Sequence, residues 1–77
     1  MYKIRNLANT IDQFKILQHL DIYHDKLVKN LIAVELINNN TVKIKDKHND
    51  ECYLFLEDNV LRILDEKNCF CWEERID

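Results

Sequence analysis

The chain contains no glycine and no proline, and it contains no serine. Each absence removes a class of chemistry. A loop that cradles phosphate needs glycine so that the backbone can approach the ligand. A serine nucleophile is excluded outright. A cysteine nucleophile would need an oriented histidine beside it, and the spacing of the three histidines and three cysteines supplies none. The pattern therefore predicts a protein that is not an enzyme and has no catalytic residues. Cysteine is scarce and odd in number, at three, whereas small secreted domains usually carry an even disulfide framework. A basic excess is also lacking: 11 Lys and Arg face 14 Asp and Glu. Dedicated duplex-DNA binders draw much of their affinity from phosphate neutralisation, so that class is disfavoured. No apolar run approaches the length of a membrane span, and none follows Met1-Tyr2-Lys3 to mark a signal peptide. Together these features predict a cytoplasmic protein without a cofactor.

What is present fits one α+β domain over residues 1–77. The hydrophobic content is 47%, ordinary for a globular chain. A chain this short buries only about 60% of the surface its unfolded form exposes, enough for one modest core. Asn, Lys, Ile and Asp are abundant, which suggests an AT-rich bacterial or phage genome.

Alternation of Tyr2 and Ile4 with Lys3 and Arg5 predicts a short extended arm. Thr10-Ile11-Asp12-Gln13 fits a capping box, in which the Thr10 hydroxyl and the Gln13 side chain each serve the other's backbone. Asp12 suits the positive end of the helix dipole, and Lys26 and Lys29 the negative end. Asn30 can take the left-handed conformation that ends a helix. A helix is therefore predicted over about residues 11–29. At about 100° per residue its apolar face carries Phe14, Ile16, Leu17, Leu20, Tyr23, Leu27 and Val28. His19 and Asp21 fall on the polar side, and His24 falls inside the apolar stripe.

From Leu31 the period changes to two, predicting strands at about 31–37, 41–47, 51–57, 60–66 and 69–75. Asn38-Asn39-Asn40 is read as a turn because Asn tolerates positive φ. It sets Leu36 against Val42, Val34 against Ile44 and Glu35 against Lys43. Asp58-Asn59 reads as a two-residue type I′ turn setting Leu56 against Leu61 and Leu54 against Ile63. A similar turn at Lys67-Asn68 sets Ile63 against Trp72 and Arg62 against Glu73. Between the second and third strands, a turn near His48-Asn49-Asp50 must have odd length. The reading sets Ile44 against Leu54 and Val42 against Leu56. One face then carries Val34, Ile44, Leu54, Ile63 and Trp72 in one row, and Leu36, Val42, Leu56, Leu61 and Glu74 in the next. The helix is the cover for this core face. The opposite face carries Ala33, Lys45, Tyr53, Leu64 and Cys71, then Glu35, Lys43, Phe55, Arg62 and Glu73.

Helix followed by a five-stranded meander is also the element order of Sm-like barrels. Val34-Glu35-Leu36-Ile37-Asn38-Asn39 resembles their first strand and turn. The resemblance implies a curled sheet or partly open barrel, and no function is carried over from it.

The second sheet face is the most informative surface, because one helix can cover only one face. Tyr53 and Phe55 lie there among Lys43, Lys45 and Arg62, with Glu73 alongside. A solvated face with internal ion pairs is the bland reading. Aromatics with arginine are also typical anchors for a protein partner, and the same ingredients suit single-stranded nucleic acid. Glu35 and Glu73 weigh against the latter. The row Lys43, Lys45, Lys47 suits either an edge guarded against pairing or phosphate contacts. Cys69-Phe70-Cys71 with Cys52 and His48 has the wrong spacing for a zinc knuckle, so the cysteines are read as buried or half-buried thiols and no metal residues are assigned. His24 is read as a core-edge histidine with a hydrogen-bond partner. The acidic pairs Glu57-Asp58, Asp65-Glu66 and Glu73-Glu74 are read as solvated residues at strand ends, two of the pairs sharing one end of the sheet.

The expectation is a small protein-binding module, a stoichiometric inhibitor or regulator encoded by a phage or mobile element. Its contact residues would be Lys43, Lys45, Tyr53, Phe55, Arg62 and Glu73. The partner is another protein, or a second copy in a homodimer. The alternative is a single-stranded nucleic-acid binder using the same face. No membrane role is expected.

Overall fold

A computed structural model describes residues 3–65 and 70–76, with the backbone alone for 70–72. A 3₁₀ turn (Ile4–Leu7) leads into helix α1 (Ile11–Tyr23), a short helix α2 (Asp25–Lys29), and strands β1 (Leu31–Asn38), β2 (Thr41–Asp46), β3 (Glu51–Glu57), β4 (Val60–Asp65) and β5 (Phe70–Arg75). The five strands form one antiparallel meander in chain order. The sheet stays open rather than closing into a barrel. No helix among the described residues is long and apolar enough to cross a membrane.

The capping box forms as the sequence predicts: Gln13 N donates to Thr10 Oγ1 at 3.1 Å, and Thr10 N donates to Gln13 Oε1 at 3.2 Å. Gln13 does more than cap. Its Nε2 donates to Asn38 O at 2.7 Å, which fastens the start of α1 to the β1–β2 turn. The helix is not continuous, however. It breaks at His24, whose backbone (φ −133°, ψ 45°) leaves the helical region. Asn30 ends α2 with φ −98° rather than in the left-handed region. Phe14 and Tyr23, placed on the apolar face by the periodicity, are 39% and 69% exposed. The core needs only Ile16, Leu17 and Leu20 from α1.

The predicted extended arm is instead the 3₁₀ turn, and the cause is Asp21. Its buried carboxylate accepts from Ile4 N at 3.3 Å, from Arg5 N at 3.0 Å and from Arg5 Nε at 3.3 Å. That folds the arm back and buries Ile4. A carboxylate this buried is stable only with such donors.

Within the sheet, strand alternation divides the faces. Val42, Ile44, Leu54, Leu56, Leu61 and Ile63 are buried together with the helix residues, each contributing roughly 1.5–3 kcal/mol by leaving water. The β1–β2 and β3–β4 registers carry every predicted pair, and β4–β5 carries Ile63 with Trp72, Arg62 with Glu73 and Leu61 with Glu74. The β2–β3 register is different. Val42 pairs with Leu54 and Ile44 with Cys52, two residues along from the expected pairing. The faces survive because the slip is even. Two local causes set it. Asp46 Oδ1 accepts from His48 N at 2.8 Å and Asp50 N at 3.1 Å, enclosing a longer loop with Asn49 at φ 66°. At the other end Asn40 Nδ2 donates to Leu56 O, and Leu56 N donates to Asn40 O, both at 3.0 Å. Lys47 therefore lies in the loop, outside the lysine row of β2. Leu64 pairs with Phe70 rather than Cys71, through a register shift next to Ile63.

Asp58 and Asn59 take φ values of 53° and 62°, as a type I′ turn requires. Neither Asn39 nor Asn40 does, so that turn uses asparagine for its side chain instead: Asn38 Oδ1 accepts from Asn40 N. The Lys67-Asn68 turn lies outside the described residues. Edge strand β1 carries two register shifts, around Ile32 and around Ile37. Both isoleucines are exposed, at 59% and 41%. Such irregularities blunt an edge against strand addition.

Candidate functional sites

The uncovered sheet face holds the six residues singled out from the sequence, in a revised arrangement. Lys43 lies beside Tyr53, not Phe55, and Lys45 lies beside Glu51 and Ala33. Two cation–aromatic stacks form across the strands. Lys43 Nζ lies 5.7 Å from the Tyr53 ring centre, and Arg62 Cζ lies 5.9 Å from that of Phe55. Both are at the outer reach of the interaction, worth about 0.5–1 kcal/mol on an exposed surface.

The cations are also neutralised in place. Lys43 Nζ is 3.5 Å from Glu51. Glu51 above all, then Tyr53, raises the Lys43 pKa above its usual value, so this ammonium is charged at any physiological pH. Arg62 is held from two sides, with Nη1 donating to Glu57 at 3.1 Å and Nε donating to Glu73 at 3.0 Å. Glu57 and Glu73 were expected as solvated strand-end residues. They do share one end of the sheet, but they clamp Arg62 across β3, β4 and β5. These pairs are exposed and contribute little stability. They do fix the direction of the guanidinium plane over Phe55.

The second grouping lies on the other face, where α1 breaks. His24 Nε2 is 2.7 Å from Glu74 Oε1. This is the hydrogen-bond partner that the sequence requires of His24. His19 Nε2 lies 3.0 Å from the same oxygen, but its N–H direction misses it, and the atom is buried without a hydrogen bond. The His19 ring also packs at a tilt of 43° against Tyr23, with centres 4.8 Å apart. Burial pushes the Glu74 carboxyl pKa up. The approach of His24, then of His19, more than reverses this and leaves it below its ordinary value.

His19 and His24 are five residues apart, about 140° around a straight helix, and could not both reach one carboxylate oxygen from it. The break at His24 is what lets them converge. Sequence reasoning left out His19 and Glu74 as site residues. A signal for Glu74 was present: strand parity places it on the core face, where a carboxylate needs a donor from the covering helix. Nothing comparable pointed to His19.

Cys52 is half-buried on the core face opposite Ile44, as expected of a packed thiol. Cys69 and the Cys71 side chain lie outside the described residues. Compared with family models, curated proteins and solved structures, the chain matches none.

Proposed function

We propose that the chain is a non-enzymatic protein-binding module, a stoichiometric inhibitor or regulator that acts by covering part of a partner's surface. The observation that carries this reading is the uncovered face, with its two stacked pairs Lys43–Tyr53 and Arg62–Phe55 held in place by carboxylates. Aromatic and arginine side chains that are already ordered lose little entropy on docking, and they are the residue types that dominate binding energy. Because Lys43 and Arg62 already have carboxylate partners, a polyanion would have to displace Glu51, Glu57 and Glu73. A protein surface can instead accept the pairs intact.

The test is recovery of partners from a native lysate with immobilised full-length chain, with a nuclease-treated arm and the Phe55→Ala/Arg62→Ala double variant alongside. One protein in near-equal amount, resistant to nuclease and lost with the variant, supports the reading. Nucleic acid, or material that disappears with nuclease, favours the single-stranded nucleic-acid alternative. Sedimentation of the purified chain separates out a homodimer, which would bring the same face against itself. Binding and association state both unchanged in the variant would refute a role for this face.

A further inference from the structure

The residues that meet at the helix break form a set of metal donors, on the opposite side of the sheet from the proposed docking face and independent of it. We propose that His19, His24 and Glu74 bind one divalent transition-metal ion of the zinc class, through the two imidazole Nε2 atoms and a Glu74 carboxylate oxygen.

One donor atom from each residue lies within 4.8 Å of the other two. The two Nε2 atoms are 2.7 and 3.0 Å from Glu74 Oε1. Around a tetrahedral ion with bonds of about 2.0–2.2 Å, neighbouring donors stand about 3.3 Å apart. The two separations to Glu74 need to open by a few tenths of an ångström and the widest, 4.8 Å, to close by about 1.5 Å, movements within the reach of side-chain torsions.

A simple ion pair explains the contact of His24 with Glu74. It leaves His19 Nε2, buried and 3.0 Å from the same oxygen, without a well-directed hydrogen bond, and a buried polar atom in that state calls for a better-placed partner. A metal ion between the three residues supplies one to His19 without taking one from Glu74.

The donor chemistry selects the class of ion. Two imidazoles with one carboxylate suit zinc and its neighbours in the first transition row, whereas magnesium and calcium take shells of oxygen. The cluster borders a groove walled by Gln18, Tyr23, Asn59 and Ile76, which leaves a fourth coordination position to water. The donors come from α1, the helix break and β5, with His24 and Glu74 50 residues apart. The site therefore exists only in the folded chain, and binding must stabilise the fold.

The experiment uses the full chain without an affinity tag, stripped with chelator and then titrated with Zn²⁺ by calorimetry and with Co²⁺ by visible absorption. The expected result is one ion per chain, a four-coordinate cobalt spectrum without thiolate-to-metal charge transfer, and no response to Mg²⁺. At an excess of about a hundredfold over Kd, Tm should rise by roughly 10–20 °C. Loss of an outer partner of a metal ligand costs about 10- to 100-fold in affinity, so His19→Gln and Glu74→Gln should each weaken Zn²⁺ binding at least that much. Circular dichroism confirms that the variants fold, and Lys15→Gln on the rim of the same groove serves as a control that keeps full affinity. Absence of stoichiometric binding overturns the proposal. So does binding that survives both substitutions in folded protein, or a charge-transfer band assigning the ion to cysteine.

Discussion

Asp21 shows how a single side chain can decide the course of a segment. Its two oxygens hold Ile4 N, Arg5 N and Arg5 Nε, and the side chain is 2% exposed. Asp21→Ala leaves two backbone donors without their acceptor and releases Ile4 from the core. It should cost about 2–3 kcal/mol, the scale of buried hydrogen bonds to a charged group. Asp21→Asn keeps one acceptor oxygen and should cost less, and thermal denaturation of the two variants measures the difference. None of this was legible in the sequence. A helical wheel assigns Asp21 to solvent, because bonds from a side chain to a backbone 16 or 17 residues away leave no periodic trace. Glu74 is the contrasting case. Its position on the core face follows from strand parity, and a carboxylate there demands donors. His24 was legible from its place in the apolar stripe, while His19 was hidden by the helix break.

Among the elements, the turns show what a chain without glycine must do. Asparagine serves two different purposes in two hairpins. At Asn59 it tolerates a φ of 62°. At Asn40 it uses its side chain, donating to Leu56 O and accepting from Thr41 Oγ1. The same substitution should therefore have opposite signs at the two sites. Asn59→Gly removes a left-handed penalty and should stabilise the protein by a few tenths to about 1 kcal/mol. Asn40→Gly deletes the tie to β3 and should destabilise by about 1 kcal/mol. Chemical denaturation of both variants checks the pair; equal signs would mean that the two turns do not differ in this way. The positions of these turns were readable from clustered Asn and Asp, and so were the registers they set. The β2–β3 register was not, because it depends on the Asp46 and Asn40 side chains gripping backbone across the strands. Alternation alone accepts any slip of two residues.

For the whole molecule, the main consequence is a sheet with two faces of unequal worth to the fold. A domain of this size has a net stability of roughly 4–12 kcal/mol at the usual value per residue. Leu54 is fully buried, between Val42 and Ile63 in the core row. Leu54→Ala should cost about 2–5 kcal/mol through lost burial and the cavity left behind. That is a large share of the total, and Tm should fall by more than about 10 °C. Phe55 is the next residue along the same strand, half-buried on the other face. Its loss forfeits a weak cation stack and a cross-strand pair, together about 1 kcal/mol. Phe55→Ala should lower Tm by only a few degrees. Thermal melts of the two single variants make the comparison. A small effect at Leu54 would contradict the core described here. A large one at Phe55 would show that the open face is needed for folding, and loss of partner binding in the double variant could then no longer be assigned to a contact.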